Sequence, residues 1–586
     1  MLRPALLSIG RSRVRAYLAL ALALLVLPPA ALGAARAPVL SRNGLVVTSQ
    51  ADATRAGVAM LRAGGNAVDA AVAAAFALGV TQPFSAGIGG GGFILIQRVE
   101  GETIAIDARE TAPAAADRDM YVRPGVPERA SLWGPLAVAT PGLVAGLALA
   151  LEEHGTLPLR RVMQPAIELA ARGFAIGPYH ARMLEAMRAR GLAERFPETA
   201  RIQFPPAGRR AEPGWVLVQK DLAKTLDGIA DRGLWAFYSG PVARAIAAEQ
   251  AKNGGLLTLE DLAGYRPVLR DPVLGRYRDV EIASFPPPSS GGPILVEMLN
   301  VLEGFDLGAL GAGSSASIHR IAEAMKLAFA DRAAWMGDPD FVEVPVAELI
   351  DKDYAASLRA RINPSWYRRA PWTWGKREVA IRVRRAGLPA DDAGTTHLSV
   401  ADAAGNAVAI TLTINTPFGS GITVPGTGIV LNNEMDDFAK APNEPNVYGL
   451  IDTRGANAVA PGKRPLSSMT PTIARKDGRL FMVTGSPGGP RIITTTLLTI
   501  VNVVDFGMNV QEAVAAPRFH HQWVPDTLSV EPAIPADVVE ALRRRGHHVE
   551  VSQRNWSAAE TILVDPESGW HTGGNDPRRD GLALGF

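Results

Sequence analysis

The chain has 586 residues, of which 47% are hydrophobic and 20% are charged, and this composition is typical of a globular protein and excludes a disordered one. The formal net charge is only +2, so it predicts no strong attraction to nucleic acid or to a membrane surface. There is no cysteine, which excludes disulfides and a lipid anchor on cysteine, and the chain is long enough to bury a large core.

Residues 1–37 are predicted to be a secretory signal. Four arginines within the first 15 residues precede an apolar run at 17–31, and small residues follow it. The run is short for a membrane span and is interrupted by Pro28 and Pro29. We therefore expect export to the periplasm or the medium, with removal of this segment and no stable membrane anchor. A retained anchor is the disfavoured alternative.

The next stretch predicts two helices and a hairpin. An alanine-rich segment at 51–80 is interrupted before Asn66, which can cap the second helix. The glycine-rich run at 87–92 has no following Lys-Ser/Thr and leads into a strand, so it indicates close backbone packing near a site and not a phosphate loop. Residues 93–99 and 103–109 then predict a hairpin that ends at Arg109. Its guanidinium fork suits a carboxylate ligand, and a structural ion pair is the alternative.

Residues 135–350 predict mostly helices, for example at 142–153, 162–172 and 317–334, because their apolar residues recur at helical spacing. We expect these helices to cover sheet faces and to carry little chemistry. Residues 367–388 are rich in arginine and tryptophan and predict an exposed, poorly packed tail.

A glycine–threonine junction follows this tail. Gly394 precedes Thr395, which opens a predicted strand. A threonine hydroxyl is a weak nucleophile, but a cut between these two residues would free the α-amine of Thr395, which titrates near about 8 and can act as the base. Glycine suits the cut because it tolerates unusual dihedral angles. An ordinary turn-to-strand junction is the alternative interpretation.

Two β-branched runs around a turn at Ala404 predict a hairpin. In this register Thr413 lies opposite Thr395, and Asn415 follows on the same face. A slip of one residue would turn Thr413 away from Thr395. The alternative is a half-buried hairpin with threonines at ordinary strand positions.

The C-terminal part adds further candidates. Glu434 and Asp437 are three residues apart, so one helical turn would place them side by side, where they could pair with an ammonium group. A solvated acidic turn is the alternative. Gly488 and Gly489 expose backbone N–H groups that can stabilise an oxyanion, a role compatible with a tight turn. The histidine pairs at 520–521 and 547–548 have no carboxylate or third histidine at ligand spacing, so we expect a structural role for them and no metal.

The C-terminal part contains the long segments TTHLSV, NAVAITLTINTPFGSGI, LNNEMDDF, RPLSSMTPTI, VTGSPGGPRIITT and AAPRFHHQW. The N-terminal part contains GNAVDAAVAAAFALGVTQPFSAGIGGGGFILI, IDARETAP and VATPGLVAGL. These segments are similar to those of the γ-glutamyltranspeptidase (glutathione hydrolase) family of self-cleaving N-terminal-nucleophile hydrolases. The resemblance therefore covers essentially the whole chain after the predicted signal.

The resemblance implies an α+β fold, a four-layer αββα sandwich in which two stacked sheets lie between helices. It also implies cleavage between Gly394 and Thr395, which gives a large subunit at 38–394 and a small subunit at 395–586. The two subunits would form one globular heterodimer. No metal or organic cofactor is implied.

The implied reaction is transfer of a γ-glutamyl group from glutathione or a related compound to water, an amino acid or a peptide. The residues implied in catalysis are Thr395, Thr413, Gly488 and Gly489. Those implied for the substrate α-carboxylate are Arg109, Ser467 and Ser468, and those for the α-amino group are Asn415, Glu434 and Asp437. The resemblance also implies a lid at 441–457 that carries Tyr448.

Two departures from the family pattern and two alternative functions stay open. Glu434 stands where some members have Gln, and Pro490 stands where some have Ser. A related acylase for β-lactam side chains is one alternative, which the presence of Arg109 and the acidic pair disfavours. The other is an uncleaved secreted binding protein with the same fold.

Overall fold

Two antiparallel sheets of seven strands each form the centre of the fold. The structure, a computed structural model, describes residues 36–367, 394–441 and 443–586. Across the first sheet the strands lie in the order Leu582–Gly585, Gly44–Thr48, Thr395–Asp402, Ala407–Thr413, Gly91–Gln97, Thr103–Ala108 and Val268–Arg270. Across the second sheet the order is Val39–Ser41, His571–Asn575, Glu560–Val564, Arg479–Thr484, Thr472–Lys476, Val280–Ser284 and Val273–Tyr277.

The two sheets pack face to face, because alternate residues of a strand point to opposite sides. Leu45 and Ala409 of the first sheet share a core with Ile473 and Ile562 of the second. The neighbouring Val46 points to the other side of the first sheet, where helices cover it. Each sheet therefore has one face in the shared core and one face under helices.

Helices form the two outer layers. Ala51–Arg62, Ala67–Thr81 and Leu143–His154 lie on the first sheet, Leu159–Arg172 packs against Ala67–Thr81, and Lys220–Arg232 packs against Leu159–Arg172. Gly291–Leu302 lies on the second sheet, Ser315–Trp335, Lys352–Arg359 and Arg491–Val504 pack against it, and Ala536–Arg544 packs against Ser315–Trp335. The predicted αββα sandwich is confirmed.

The remaining described elements lie outside these four layers. The helices among them are Pro135–Ala137, Pro178–Ala189, Leu192–Arg195, Pro197–Gln203, Leu234–Tyr238, Pro241–Asn253, Leu259–Gly264, Leu307–Leu310, Val346–Leu349, Glu434–Asp437 and Val510–Ala515. The strands among them are Phe174–Ala175, Val216–Leu217, Thr423–Val424, Ile429–Val430, Phe519–His520, Leu528–Val530 and Val549–Val551.

Several local predictions are confirmed. The alanine-rich segment forms two helices, and the Asn66 side chain accepts hydrogen bonds from the N–H groups of Val68 and Asp69 at the start of the second. All residues of that second helix are buried, so its small side chains let it pack on every side. The glycine-rich run packs closely against the central hairpin, since a Cβ on Gly90 would lie 2.0 Å from the carbonyl oxygen of Thr413.

Residues 135–350 are mostly helical, as predicted, but they also contribute strands to the sheets. This region also supplies Val268–Arg270, Val273–Tyr277 and Val280–Ser284, which complete one edge of each sheet. Strands of three to five residues give too few positions for a period of two to be recognised in the sequence.

The predicted exposed tail begins in a buried environment. Tyr367 is 7% exposed, donates its N–H to the carbonyl oxygen of Arg545 at 2.7 Å, and its ring lies 4.4 Å from that of His547. The expectation of exposure is therefore wrong for this residue, and residues 368–388 lie outside the described residues. Within the part of the chain that the structure describes, no helix combines the length and hydrophobicity that a membrane span requires.

Candidate active site

The central hairpin places two threonine hydroxyls side by side. Thr395 opens its strand directly opposite Thr413, which confirms the predicted register. Their Oγ1 atoms are 3.0 Å apart. The hairpin lies in the middle of the first sheet, with Gly44–Thr48 on one side and Gly91–Gln97 on the other. Both hydroxyls are therefore held by a rigid, buried ladder.

The carbonyl of Gly394 belongs to the same hydrogen-bond network. Thr413 Oγ1 donates to Gly394 O at 2.8 Å and accepts from the N–H of Asn415 at 2.7 Å. A Cβ on Gly394 would lie 1.5 Å from Asn415 O, so the position has no room for any other residue. The close approach of Asn415 O is therefore what requires glycine here.

Arg109 lies at the opposite end of the site, just after its strand, and is 1% exposed. Its two terminal nitrogens form ion pairs with Glu434 and Asp437, which the helical turn Glu434–Asp437 places side by side as predicted. Its Nε donates to Pro465 O at 3.1 Å. The sequence analysis assigned Arg109 to the substrate α-carboxylate and the two acids to the α-amino group, but in the structure these side chains contact one another directly.

Glu110 is a further buried acid that the sequence reasoning did not single out. Its Oε2 lies 3.6 Å from Nη1 of Arg109. Burial raises the pKa of Glu110 to about 7, and the charge of Arg109 opposes this shift. Burial and the neighbouring Glu110 also raise the pKa of Glu434. One guanidinium thus lies next to three carboxyl groups. Because acids outnumber the cation, the cluster favours uptake of a proton or of another cation.

Ser467 and Ser468 lie on a segment tied to the start of the helix Gly291–Leu302. Ser467 donates its N–H to Pro288 O at 2.9 Å, and Ser290 donates its N–H to Ser467 O at 2.9 Å. Ser468 Oγ accepts a hydrogen bond from Arg332 at 3.3 Å. Arg332 comes from the helix Ser315–Trp335, so the expectation that the helical region carries little chemistry is wrong at this residue.

Asn415 and Tyr448 close the site from the side. The prediction that Asn415 lies on the same strand face as Thr413 is wrong. The strand ends at Thr413, and Asn415 adopts a left-handed conformation with φ 73°. Its side-chain amide donates to Asn433 O at 2.9 Å, and its Oδ1 accepts from the Tyr448 hydroxyl at 2.8 Å. Tyr448 is 7% exposed and lies over Gly489. The predicted lid segment thus contacts the site, while Pro442 lies outside the described residues.

Gly488 and Gly489 form the turn before the helix Arg491–Val504, both at positive φ. Their carbonyl groups accept the first hydrogen bonds of this helix. Among the described residues, no acceptor is bonded to either of their N–H groups. Two free donors near the end of the hairpin meet the first requirement of an oxyanion site.

One pocket collects these groups. It brings together the predicted site residues except Gly488 and Gly394, which lie beside it, and adds others that the sequence did not indicate. Its lining residues are Arg109, Arg332, Thr395, Thr413, Asn415, Glu434, Asp437, Tyr448, Leu450, Leu466, Ser467, Ser468, Met469, Gly489 and Ile492.

The histidines lie outside this pocket. The structure brings His319 and Glu323 next to His547, so the expectation that no third ligand group is near is wrong. His319 Nδ1 and His547 Nε2 are hydrogen-bonded to each other at 2.8 Å, and Glu323 is paired with Lys326 at 2.6 Å. Burial, with the nearby His319 and Lys326, lowers the pKa of His547 to about 3. These side chains pair with one another in a cationic surrounding, which supports a structural role.

Comparison with known proteins covers nearly the whole chain. The family model described as Gamma-glutamyltranspeptidase matches residues 53–586. The chain is 47% identical to the glutathione hydrolase proenzyme of Escherichia coli (strain K12), covering 94% of this chain and 93% of that protein. It is 43% identical to the acylase ACY 1 proenzyme of Pseudomonas sp. (strain V22), covering 93% and 94%. The crystal structure of cephalosporin acylase from Bacillus halodurans superposes with a TM-score of 0.83 at 32% identity, covering 94% and 97%.

Proposed function

The chain belongs to the γ-glutamyltranspeptidase family and is a γ-glutamyl hydrolase or transferase, and we propose that Thr395, freed by self-cleavage, is its nucleophile. The observation that carries this proposal is the hydroxyl pair of Thr395 and Thr413, 3.0 Å apart, at one end of a pocket whose other end is charged. The proposed substrates are glutathione and other γ-glutamyl compounds, and the proposed acceptors are water, amino acids and peptides.

Self-cleavage begins with attack of Thr395 Oγ1 on the carbonyl carbon of Gly394. The amide bond breaks, its nitrogen gains a proton and becomes the α-amine of Thr395, and an ester forms to Oγ1. Water then hydrolyses this ester and leaves a free carboxylate on Gly394. The Thr413 hydroxyl donates to the attacked carbonyl oxygen at 2.8 Å, so it supports the negative charge that develops there.

Turnover reuses the same hydroxyl with its new base. The α-amine of Thr395 accepts the hydroxyl proton while Oγ1 attacks the γ-carbonyl carbon of the substrate. The N–H groups of Gly488 and Gly489 stabilise the oxyanion. The leaving amine takes the proton and departs, which leaves a γ-glutamyl ester on Thr395. Attack by water or by an acceptor amine breaks that ester and restores the enzyme.

Substrate recognition exchanges one set of ion pairs for another. The α-ammonium of a γ-glutamyl group can replace the guanidinium of Arg109 as the partner of Glu434 and Asp437. The α-carboxylate can then replace those two acids as the partner of Arg109. Every charge keeps a partner through this exchange, which lowers the cost of opening a buried cluster. An α-linked glutamyl group has no free α-carboxylate and cannot complete the exchange.

The products of self-cleavage are a large subunit ending at Gly394 and a small subunit of residues 395–586. Both supply strands to the same two sheets, which supports a stable heterodimer. Export rests on the sequence of residues 1–37, of which all but Arg36 and Ala37 lie outside the described residues. We expect mature protein recovered from the periplasm or the medium to lack this segment. A full-length N-terminus there would contradict export with processing.

The test is turnover of glutathione by the purified protein, with and without a dipeptide acceptor. We expect free glutamate in water alone and γ-glutamyl dipeptide when the acceptor is present. The protein should run as two bands on a denaturing gel, and the small fragment should begin Thr-Thr-His. Thr395→Ala should stay one chain and be inactive. A single wild-type band would support the alternative of an uncleaved binding protein. A different N-terminal residue on the small fragment would show that Thr395 is not the nucleophile.

A second candidate function is supported by the acylases among the relatives. A glutaryl group carries a terminal carboxylate but no α-amino group, so it can pair with Arg109 but leaves the acids without a new cation. We therefore expect hydrolysis of glutaryl anilide to be slower than that of γ-glutamyl anilide. Faster hydrolysis of the glutaryl compound would favour the acylase function.

A further inference from the structure

A second arginine, Arg332, faces the substrate pocket from the last turn of the helix Ser315–Trp335. Its side chain is 5% exposed, so most of its surface is removed from water. The pocket is therefore lined by two buried guanidinium groups, which come from distant parts of the chain. They differ in how their charges are balanced.

The charge of Arg109 is balanced, whereas that of Arg332 has no close anion. Arg109 forms ion pairs with Glu434 and Asp437. Within the described residues, no carboxylate lies within 4.0 Å of a side-chain nitrogen of Arg332. Burial lowers the pKa of Arg332 to about 10, and Asp437 and Asp452 oppose this shift from farther away. Arg332 is thus still protonated at neutral pH, and a buried unpaired cation favours the arrival of an anion.

The hydrogen bonds of Arg332 hold its guanidinium next to Ser290 and Ser468. Its Nε donates to Ser290 Oγ at 2.9 Å, and its Nη2 donates to Ser468 Oγ at 3.3 Å. Ser290 Oγ in turn donates to Ser467 O at 2.7 Å. A guanidinium has donors only, so Ser468 Oγ must act as the acceptor in this contact. The hydroxyl hydrogen of Ser468 is then available to a second acceptor in the pocket.

We propose that Arg332 is a positioning residue for the substrate α-carboxylate: it fixes Ser468 as a hydrogen-bond donor to that carboxylate and contributes positive charge through it. This inference rests on the proposed γ-glutamyl function and assigns part of its substrate recognition. In this arrangement the α-carboxylate lies between two guanidinium groups. Arg109 must release an acid to bind it, and Arg332 acts through a hydroxyl that is already in place.

The test compares three anilide substrates that differ only at the α-carbon. The γ-glutamyl anilide has both charged groups, the glutaryl anilide keeps only the carboxylate, and the 4-aminobutanoyl anilide keeps only the amine. We expect Arg332→Gln to lower kcat/KM about tenfold to a hundredfold for the two substrates with a carboxylate, because hydrogen bonds to charged groups contribute this much. For the 4-aminobutanoyl anilide we expect less than about a threefold change, because this substrate has no carboxylate to accept the hydrogen bond of Ser468.

A double-mutant cycle separates positioning from packing. Because Arg332 acts through Ser468, Arg332→Gln should add little to the effect of Ser468→Ala. Additive losses, or an equal loss for all three substrates, would overturn the proposal. If Arg332→Gln does not fold, as judged by the two bands of self-cleavage, Arg332→Lys replaces it in the comparison of the three anilides. It keeps the charge but cannot reach both serines, so it should show the same substrate dependence with a smaller loss.

The wild-type protein distinguishes this inference from the proposed function. If wild type does not cleave the γ-glutamyl anilide, the proposed function fails, and the role of Arg332 fails with it. If wild type cleaves that substrate but Arg332→Gln lowers kcat/KM by the same factor for all three anilides, only the role of Arg332 fails.

Discussion

The two ends of the active-site pocket are constructed differently. At the nucleophile end, Thr395 and Thr413 come from adjacent strands and form uncharged hydrogen bonds in a closed ladder. At the other end, Arg109, Glu434 and Arg332 come from three distant parts of the chain and carry full charges. The first arrangement is fixed by local geometry and suits chemistry that needs precise placement. The second depends on tertiary contacts, and its pairs can be exchanged with those of a substrate.

The largest effect should come from filling the space at the nucleophile end. Gly394→Ala would place a Cβ 1.5 Å from Asn415 O, so the attacked carbonyl must move relative to Thr395. A displacement of about 1 Å can cost on the order of a hundredfold in rate, and we expect self-cleavage to slow by at least that factor. The measurement is the time course of the two bands after synthesis.

The matched control is Gly264→Ala, at the end of a surface helix, where a Cβ would meet nothing within 4 Å. It should be cleaved at the wild-type rate. Normal cleavage of Gly394→Ala would show that the nucleophile end is more adaptable than the ladder suggests.

The next effect concerns the charged end. Arg109→Lys keeps the charge but loses the fork that contacts both Glu434 and Asp437. We expect kcat/KM for the γ-glutamyl anilide to fall about tenfold to a hundredfold, with self-cleavage intact because that step needs no free glutamyl group. Arg201→Lys is the control, since Arg201 also pairs with two acids, Glu198 at 2.7 Å and Asp221 at 3.1 Å, but lies outside the pocket. Full activity of Arg109→Lys would show that the assigned pocket is wrong.

The same contacts reduce the predicted selectivity for γ-linked over α-linked glutamyl anilides. From the sequence, an α-linked substrate would leave Arg109 unpaired, at about 3–5 kcal/mol. In the structure Arg109 already has two acidic partners, so that full cost does not apply. We still expect wild type to prefer the γ-anilide, and equal cleavage of the two anilides would contradict the proposed exchange.

The contrast between the two ends also explains what the sequence could predict. The Asn66 cap and the pairing of Thr395 with Thr413 follow from periodicity and short turns, which are local properties, whereas the layer order of the sandwich came from the resemblance to a known family. The contact of Arg109 with Glu434 joins residues 325 positions apart. No spacing rule gives such a contact, and for the same reason the sequence reasoning missed Arg332.

A pH effect on stability should arise from the charged end. The pKa of Glu110 is raised to about 7 from an ordinary value of 4.5, so the folded state holds its proton more tightly than the unfolded state. The contribution of Glu110 to stability is fully present below pH 4.5 and is lost as the pH rises to about 7. Glu110→Gln should therefore show a smaller decrease in unfolding free energy between pH 4.5 and 7.

Chemical denaturation of the Thr395→Ala chain, with and without Glu110→Gln, measures this effect without subunit dissociation. Glu434 is coupled to Glu110, so the triple variant with Glu434→Gln should flatten the profile further. Glu567→Gln, at an exposed position, should leave the profile unchanged. If Glu110→Gln leaves the pH dependence of the unfolding free energy unchanged, Glu110 does not hold a proton in the folded state as proposed.

The smallest effect should come from the lid, where the Tyr448 hydroxyl forms neutral hydrogen bonds to the backbone and side-chain oxygens of Asn415. Tyr448→Phe keeps the ring over Gly489 but removes the hydroxyl that donates to Asn415 Oδ1 at 2.8 Å. A neutral hydrogen bond contributes about 0.5–1.5 kcal/mol, which corresponds to about a two- to tenfold change. Because lids limit the access of water, a loosened lid should raise hydrolysis relative to transfer by that factor.

The ratio of free glutamate to γ-glutamyl dipeptide at fixed acceptor concentration measures this change. Self-cleavage should be unaffected, because the bonds of Thr413 to Gly394 and Thr395 do not involve Tyr448. Tyr277→Phe is the matched control: its hydroxyl donates to Asp505 at 2.6 Å, far along the second sheet, and its loss should leave the ratio unchanged. If Tyr448→Phe changes cleavage and not the ratio, the residue supports the hairpin and is not part of a lid. Deletion of residues 443–449 should then also impair cleavage, whereas a true lid could be removed with cleavage intact and hydrolysis further increased.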